Sequence, residues 1–101
     1  MHALHIALQE GFAHDEVAVS LDGAQLYHAD DISTRQQLGV AGTFDAQVMP
    51  GPHAIEVRLP RRGALRRIQS VSVNGDTWLG ISLRPDGMFD IRVSVIPFGY
   101  L

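Results

Sequence analysis

Apolar and polar positions alternate with a period of two along most of the chain. From Gly42 to Pro60, Phe44, Ala46 and Val48 alternate with Thr43, Asp45 and Gln47, and Ile55, Val57 and Leu59 alternate with Ala54, Glu56 and Arg58. Successive side chains of an extended strand fall on opposite faces, so each run predicts a strand with one apolar face. Met49-Pro50-Gly51-Pro52 separates the two runs. Pro presets φ and Gly accepts positive φ, which suits a turn. A hairpin with Met49 opposite Pro52 sets Val48 against His53, Ala46 against Ile55 and Phe44 against Val57, so the apolar sets meet on one face.

The remaining chain reads in the same way. Leu4, Ile6 and Leu8 define a first strand within residues 2–9, and Val17, Val19 and Leu21 a second. Asp22-Gly23 then signals a type I′ hairpin, whose two central residues both need positive φ. A two-residue loop there places Leu21 against Ala24, Val19 against Leu26 and Val17 against His28. Residues 30–40 are the least periodic; Asp31-Ile32-Ser33-Thr34 fits either a capped helical turn or a loop. Pro60 and Gly63 punctuate residues 60–67, which read as a connection. Strands are expected over residues 68–73, 77–83 and 89–95. Pro85-Asp86-Gly87 has the signature of a type I turn with a Gly bulge, setting Leu83 against Phe89, Ile81 against Ile91 and Leu79 against Val93. At Asn74-Gly75 a two-residue turn would send Val71 and Val73 outward. A three-residue loop ending at Asp76 sets Val71 against Leu79 and buries both valines, and is the favoured register.

With no run of helical periodicity, these segments predict an all-β fold: an antiparallel β-sandwich of seven to eight short strands. A parallel α/β sheet is excluded by the lack of crossover helices. The length of 101 residues fits one domain, 1–101. Apolar residues at 46% and charged ones at 19% make the composition globular rather than disordered. The absence of Cys excludes disulfides, Cys-ligated metal sites and a Cys nucleophile. Net charge is −3 but uneven: residues 1–57 carry eight acids and Arg35, whereas 58–101 carry seven Arg and three Asp. The N-terminal residues have neither a signal-peptide pattern nor a membrane-spanning run, so a cytoplasmic protein is expected, or an extracytoplasmic one if the chain is excised from a larger protein.

Thr34 and Gly42 to Val57 follow the pattern T…G-x-F-x-A-x-V-x-P-G-x-H-x-I-x-V, and Val19-Ser20-Leu21-Asp22-Gly23 is a strand ending in Asp-Gly. This half of the chain resembles PEGA and carboxypeptidase-regulatory-like domains. The resemblance implies a small prealbumin- or immunoglobulin-like sandwich, and an accessory module without catalysis of its own. Prealbumin-like folds also include hydroxyisourate hydrolases, whose sites use His, Arg and a C-terminal Tyr-Arg-Gly-Ser. This chain ends Pro97-Phe98-Gly99-Tyr100-Leu101 and lacks that tetrapeptide.

Motifs for chemistry are sparse. His2 with His5, the triplet His14-Asp15-Glu16, and His28 with Asp30-Asp31 lack the spacing of a zinc site. No metal, cofactor or catalytic residue is expected. Arg61, Arg62, Arg66 and Arg67 form one basic run, a candidate anion-contacting loop. No aromatic lies between residues 45 and 77 to give a nucleic acid its stacking platform, so a solvated connector is expected and no nucleic-acid partner. The hairpin register turns Trp78, Gly80 and Ser82 outward, with Gly80 opposite Arg92 and Trp78 opposite Ser94. Trp78 then lies within diagonal reach of Arg92 for a cation–π contact. Trp and Arg are enriched at hot spots, so Trp78, Gly80, Arg92 and Tyr100 form a candidate interface. The expectation is a non-enzymatic interaction module, either a homo-oligomer or one that binds a protein partner, with no membrane contact. A module for a carbohydrate or other small molecule is the alternative, and a prealbumin-like hydrolase the third reading.

Overall fold

The computed structural model of the chain describes residues 1–35, 37 and 39–98. Among these the chain forms eight strands and no helix: β1 (His2–Leu8), β2 (Asp15–Leu21), β3 (Ala24–Ile32), β4 (Gly42–Val48), β5 (Gly51–Leu59), β6 (Leu65–Val73), β7 (Thr77–Leu83) and β8 (Phe89–Ser94). They make two four-stranded sheets, ordered β4-β1-β7-β8 and β3-β2-β5-β6. The all-β sandwich is as the alternation predicts. It is not wholly antiparallel, because β1 runs parallel to β7, with Leu4 beside Thr77 and Leu8 beside Ile81.

The apolar faces of both sheets turn toward each other. Leu4, Ile6 and Leu8 of β1 and Leu79 and Ile81 of β7 pack with Val17, Val19, Ile55, Val57, Leu59 and Val73, each 1% exposed or less. Removing such side chains from water is the main favourable term in folding.

Three turns make hairpins. Asp22 and Gly23 have φ of 50° and 87°, the pair of positive values that a type I′ turn requires. The Pro85-Asp86-Gly87 register is as read: Leu83 pairs with Phe89, Ile81 with Ile91 and Leu79 with Val93. The third hairpin joins β5 to β6, with Leu59 opposite Leu65. The connection is therefore shorter than residues 60–67, since Arg66 and Arg67 belong to β6.

Two expected hairpins are corners instead. β4 pairs with β1, so Phe44 lies opposite Ile6 and not Val57. β5 lies in the other sheet, between β2 and β6. Only Met49 and Pro50 separate β4 from β5, and Gly51 at φ 119° redirects the chain across the core. The turn at Asn74-Gly75-Asp76 likewise carries the chain from β6 to β7 in the opposite sheet. Val71 and Val73 are buried as expected, but Val71 faces His53 of β5 rather than Leu79. In a two-layer sandwich both inner faces share one core. A corner therefore satisfies the apolar pattern as well as a hairpin does.

The β2–β3 hairpin holds a further departure. Leu21 meets Ala24, but an irregularity between Val19 and Ser20 sets Val19 against Tyr27 and Val17 against Ala29. Leu26 is the residue left over, 39% exposed. Residues 31–34 form no helical turn. Ser33 Oγ accepts from the His14 N–H, and Thr34 Oγ1 donates to the Gln9 carbonyl while accepting from the Phe12 N–H.

Candidate functional site

The outer face of the β4-β1-β7-β8 sheet gathers the residues of interest. Strand register sets Asp45, His5, Trp78 and Ser94 in one row straight across the four strands. The adjacent row on the same face is Thr43, Ala7, Gly80 and Arg92. Large side chains in the first row stand beside Ala7 at the centre of the second and leave a step there, while the Gln9 side chain covers Gly80. Beyond Ser94 the tail folds back, and Pro97 and Phe98 close the step into a cleft of ≈ 200 Å³. Its lining is His5, Thr43, Asp45, Trp78, Pro97 and Phe98, with the backbone of β1 beneath.

Within the cleft His5 is held from two sides. Its Nδ1 lies 2.7 Å from Asp45 Oδ1. Its ring stacks on Trp78, with 4.9 Å between centroids and 21° between planes. Both rings are half-buried and reach the cleft. A carboxylate that orients an imidazole is also part of acid–base machinery, but among the described residues no hydroxyl is hydrogen-bonded to His5.

The interface residues read from the sequence fall as follows. Trp78, Gly80 and Arg92 share the outer face at the expected register. Arg92 does not lie over Trp78: its guanidinium carbon sits 5.3 Å from the centroid of Phe98, while His5 occupies the face of the indole. The tail competes for the cation, and the neighbouring strand supplies the ring. Gly80 does not leave an open face, because a Cβ there would come within 2.5 Å of Gln9 Oε1. Tyr100 lies outside the described residues. The sequence points to His5 only beside His2, as a pair without zinc spacing, and assigns neither Asp45 nor Phe98 to the interface. Their meeting depends on the pairing of β1 with β4 and on the return of the tail, neither of which leaves a local signal.

The four arginines of the basic run have separate neighbours. Arg62 donates from Nε and Nη2 to the two oxygens of Asp15, at 2.7 and 2.9 Å. Asp15 is only 3% exposed and also accepts from the Ala13 N–H. Burial alone would raise its pKa; the hydrogen bonds from Arg62 and Ala13 outweigh this and hold it below the usual value. Arg61 donates to the Asp30 carbonyl, Arg66 reaches Glu56 at 3.4 Å, and Arg67 donates to Gln69. Each of the four guanidinium groups thus contacts a different neighbour.

One acidic group was drawn from two separate motifs. The β2–β3 pairing brings Glu16 Oε2 to 2.8 Å from His28 Nε2, with Asp30 Oδ1 at 3.6 Å. Three potential metal ligands thus converge. Arg61 already supplies a cation there, with Nε 3.9 Å from Glu16.

Comparison of the chain with protein-family models, curated proteins and solved structures finds no match. The reading of function therefore rests on the residues of this face.

Proposed function

We propose that the protein is a non-enzymatic interaction module that takes a protein partner on the outer face of its β4-β1-β7-β8 sheet. The observation that carries this reading is the cleft between His5, Trp78 and Phe98. At ≈ 200 Å³ it is smaller than the roughly 300–1,000 Å³ typical of sites that enclose a small-molecule ligand. It suits one aromatic side chain of a partner. Such a side chain would lie among the rings, with the His5–Asp45 pair at the rim to accept or donate a hydrogen bond. Interfaces draw most of their binding energy from a few aromatic anchors seated in pockets of this kind.

Surrounding features favour a macromolecule over a small ligand. A second, broader hollow of ≈ 600 Å³ adjoins the same indole, lined by His2, Ser72, Asp76, Val93 and Val95 among others. Val93, Val95 and Ile96 are 48%, 79% and 68% exposed. An apolar margin around an aromatic centre is the layout of a docking face. The accessory role implied by the PEGA-like pattern is of the same kind.

The test is selection of random peptides displayed on phage against the immobilised protein. Peptides with a shared aromatic residue are expected, and they should lose binding to Trp78→Ala. Failure to enrich any peptide, or enrichment indifferent to Trp78→Ala, would overturn the reading.

A further inference from the structure

β8 is a free edge of its sheet, and its chemistry selects what can pair with it. Gln9 N–H donates to the Ile81 carbonyl at 2.7 Å, and Leu83 N–H to the Glu10 carbonyl at 2.8 Å. The odd-numbered residues of β7 therefore turn their peptide groups toward β1, and Trp78, Gly80 and Ser82 turn theirs toward β8. Their partners are Ser94, Arg92 and Asp90. It follows that Phe89, Ile91 and Val93 direct their N–H and C=O groups away from the sheet. Among the described residues β7 is the one strand that β8 pairs with.

Sheet edges invite pairing, and proteins blunt them with bulges, prolines or charged side chains; charges of one sign also repel a second copy of the same strand. The other three edges follow this rule. β3 carries irregularities and acids, with no Lys or Arg; β6 carries Arg66 and Arg67 and no acid; β4 carries Asp45 alone. β8 has no bulge and no proline, and of the four edges it alone holds both an acid, Asp90, and an arginine, Arg92. Among the described residues neither forms an ion pair; Arg92 rests only on Phe98. Val93 faces inward opposite Leu79 yet is 48% exposed, and among the described residues no strand covers it on the far side.

We infer that a second copy of this chain pairs antiparallel along β8, with Ile91 opposite its own counterpart, joining two four-stranded sheets into one of eight. Charge fixes the register. A centre at Asp90 or at Arg92 would set like charges face to face. A centre at Ile91 sets Asp90 of each copy against Arg92 of the other, twice by symmetry, and Phe89 against Val93. The same register makes Ile91–Ile91 and both Phe89–Val93 pairs hydrogen-bonded ones, so every outward peptide group finds a partner. Asp90 and Arg92 fall at non-hydrogen-bonded positions, where side chains lie closest. The interface is isologous and closes as a two-fold dimer. With one six-residue strand from each copy it belongs among the smaller interfaces, and the dimer depends on concentration. This inference rests on the reading of the protein as an interaction module. It names one partner, docked on the sheet's edge and leaving the cleft on its face for another.

Sedimentation equilibrium of the whole chain tests it, with folding of each variant checked by circular dichroism. The unaltered protein is expected to dimerise. Asp90→Arg and Arg92→Asp should each weaken the dimer about tenfold or more, since attraction becomes repulsion at both symmetric pairs. An equimolar mixture of the two variants should recover it as a heterodimer. Recovery in the mixture cannot come from repaired folding of either chain. A monomer up to millimolar concentration would overturn the inference and leave the peptide selection at the cleft as a separate question. A dimer unmoved by charge reversal but dissolved by Trp78→Ala would overturn it too, placing the copies face to face through the cleft.

Discussion

The imidazole of His5 lies across the indole of Trp78, 4.9 Å away and 21° from parallel, with its Nδ1 tied to Asp45. The stack holds the only tryptophan of the chain in one orientation at the cleft. His5→Ala is expected to weaken the near-ultraviolet circular dichroism of Trp78 and to lower affinity for cleft-selected peptides. It should cost only about 1 kcal/mol of stability, the scale of one aromatic pair. Urea denaturation checks the second part; a loss of several kcal/mol would make His5 a core residue instead.

The buried charge of Asp15 depends on Arg62. Removing one partner of a fully buried pair costs about 3–5 kcal/mol, because the other charge is left uncompensated. The Arg62 side chain is 39% exposed, and solvent screening there reduces the expected loss for Arg62→Ala to about 2 kcal/mol. Arg66→Ser and Arg67→Ser, both exposed on the edge strand β6, should each stay within about 0.5 kcal/mol. Equal effects of the three substitutions in chemical denaturation would contradict the assignment.

His53 gives stability a dependence on pH. Its Nδ1–H donates to Asp22 at 2.6 Å and its Nε2–H to the Met49 carbonyl at 2.6 Å, so the protonated ring satisfies both acceptors. The Asp22 hydrogen bond, then that of Met49, raises its pKa above the usual 6.5, against a smaller opposing effect of burial. The hydrogen bonds from His53 and from the Ala54 N–H lower Asp22 below 3.8. A raised His pKa gives stability that is complete below 6.5 and is lost as pH rises through the folded value. A lowered Asp pKa gives stability that is complete above 3.8 and is lost as pH falls through the folded value. Relative to His53→Gln, the unaltered protein is expected to be most stable between these limits and to lose that advantage on the alkaline side. An NMR titration placing the His53 midpoint at or below 6.5 would contradict the pairing.

Phe44 stacks on Tyr27 with 4.3 Å between centroids and 6° between planes, bridging the edge strands β4 and β3 of opposite sheets. It is half-buried at the open side of the sandwich. Phe44→Ala is therefore expected to cost about 2 kcal/mol, less than the 3–5 of a Phe enclosed by the core. A denaturation midpoint shifted as far as for a fully buried residue such as Ile6 would show the side to be closed.

Hairpins with short turns were legible because pairing there is decided by adjacent residues. Pro85-Asp86-Gly87 fixed the partners of Leu79, Ile81 and Leu83, and through them the outward position of Trp78. The corners were not legible. Val48 and Ile55 point to the same core whether their strands pair or lie in facing sheets, and alternation is identical in both cases. The bulge that expels Leu26 was also silent, since one extra residue leaves composition unchanged. The cleft was half legible. Trp78 came from a local register, whereas His5 met it through a parallel pairing of strands more than seventy residues apart in sequence. Parallel pairing has no turn to announce it. Arg62 looked like a solvated charge because nothing in its own neighbourhood names Asp15, forty-seven residues before it.

The central claim is that the face around Trp78 is where the protein is used. Trp78 is the sole tryptophan, so its indole N–H gives one resonance that reports on the cleft without ambiguity. The decisive measurement is a titration of isotope-labelled protein with a cleft-selected aromatic peptide, followed by NMR. The expected result is a saturable shift of the Trp78 indole together with His5, Ala7, Thr43 and Asp45, while the opposite face around Ile68 and Ser70 on β6 stays still. Saturable binding that leaves Trp78 and His5 unmoved and shifts the β3-β2-β5-β6 sheet would contradict the account.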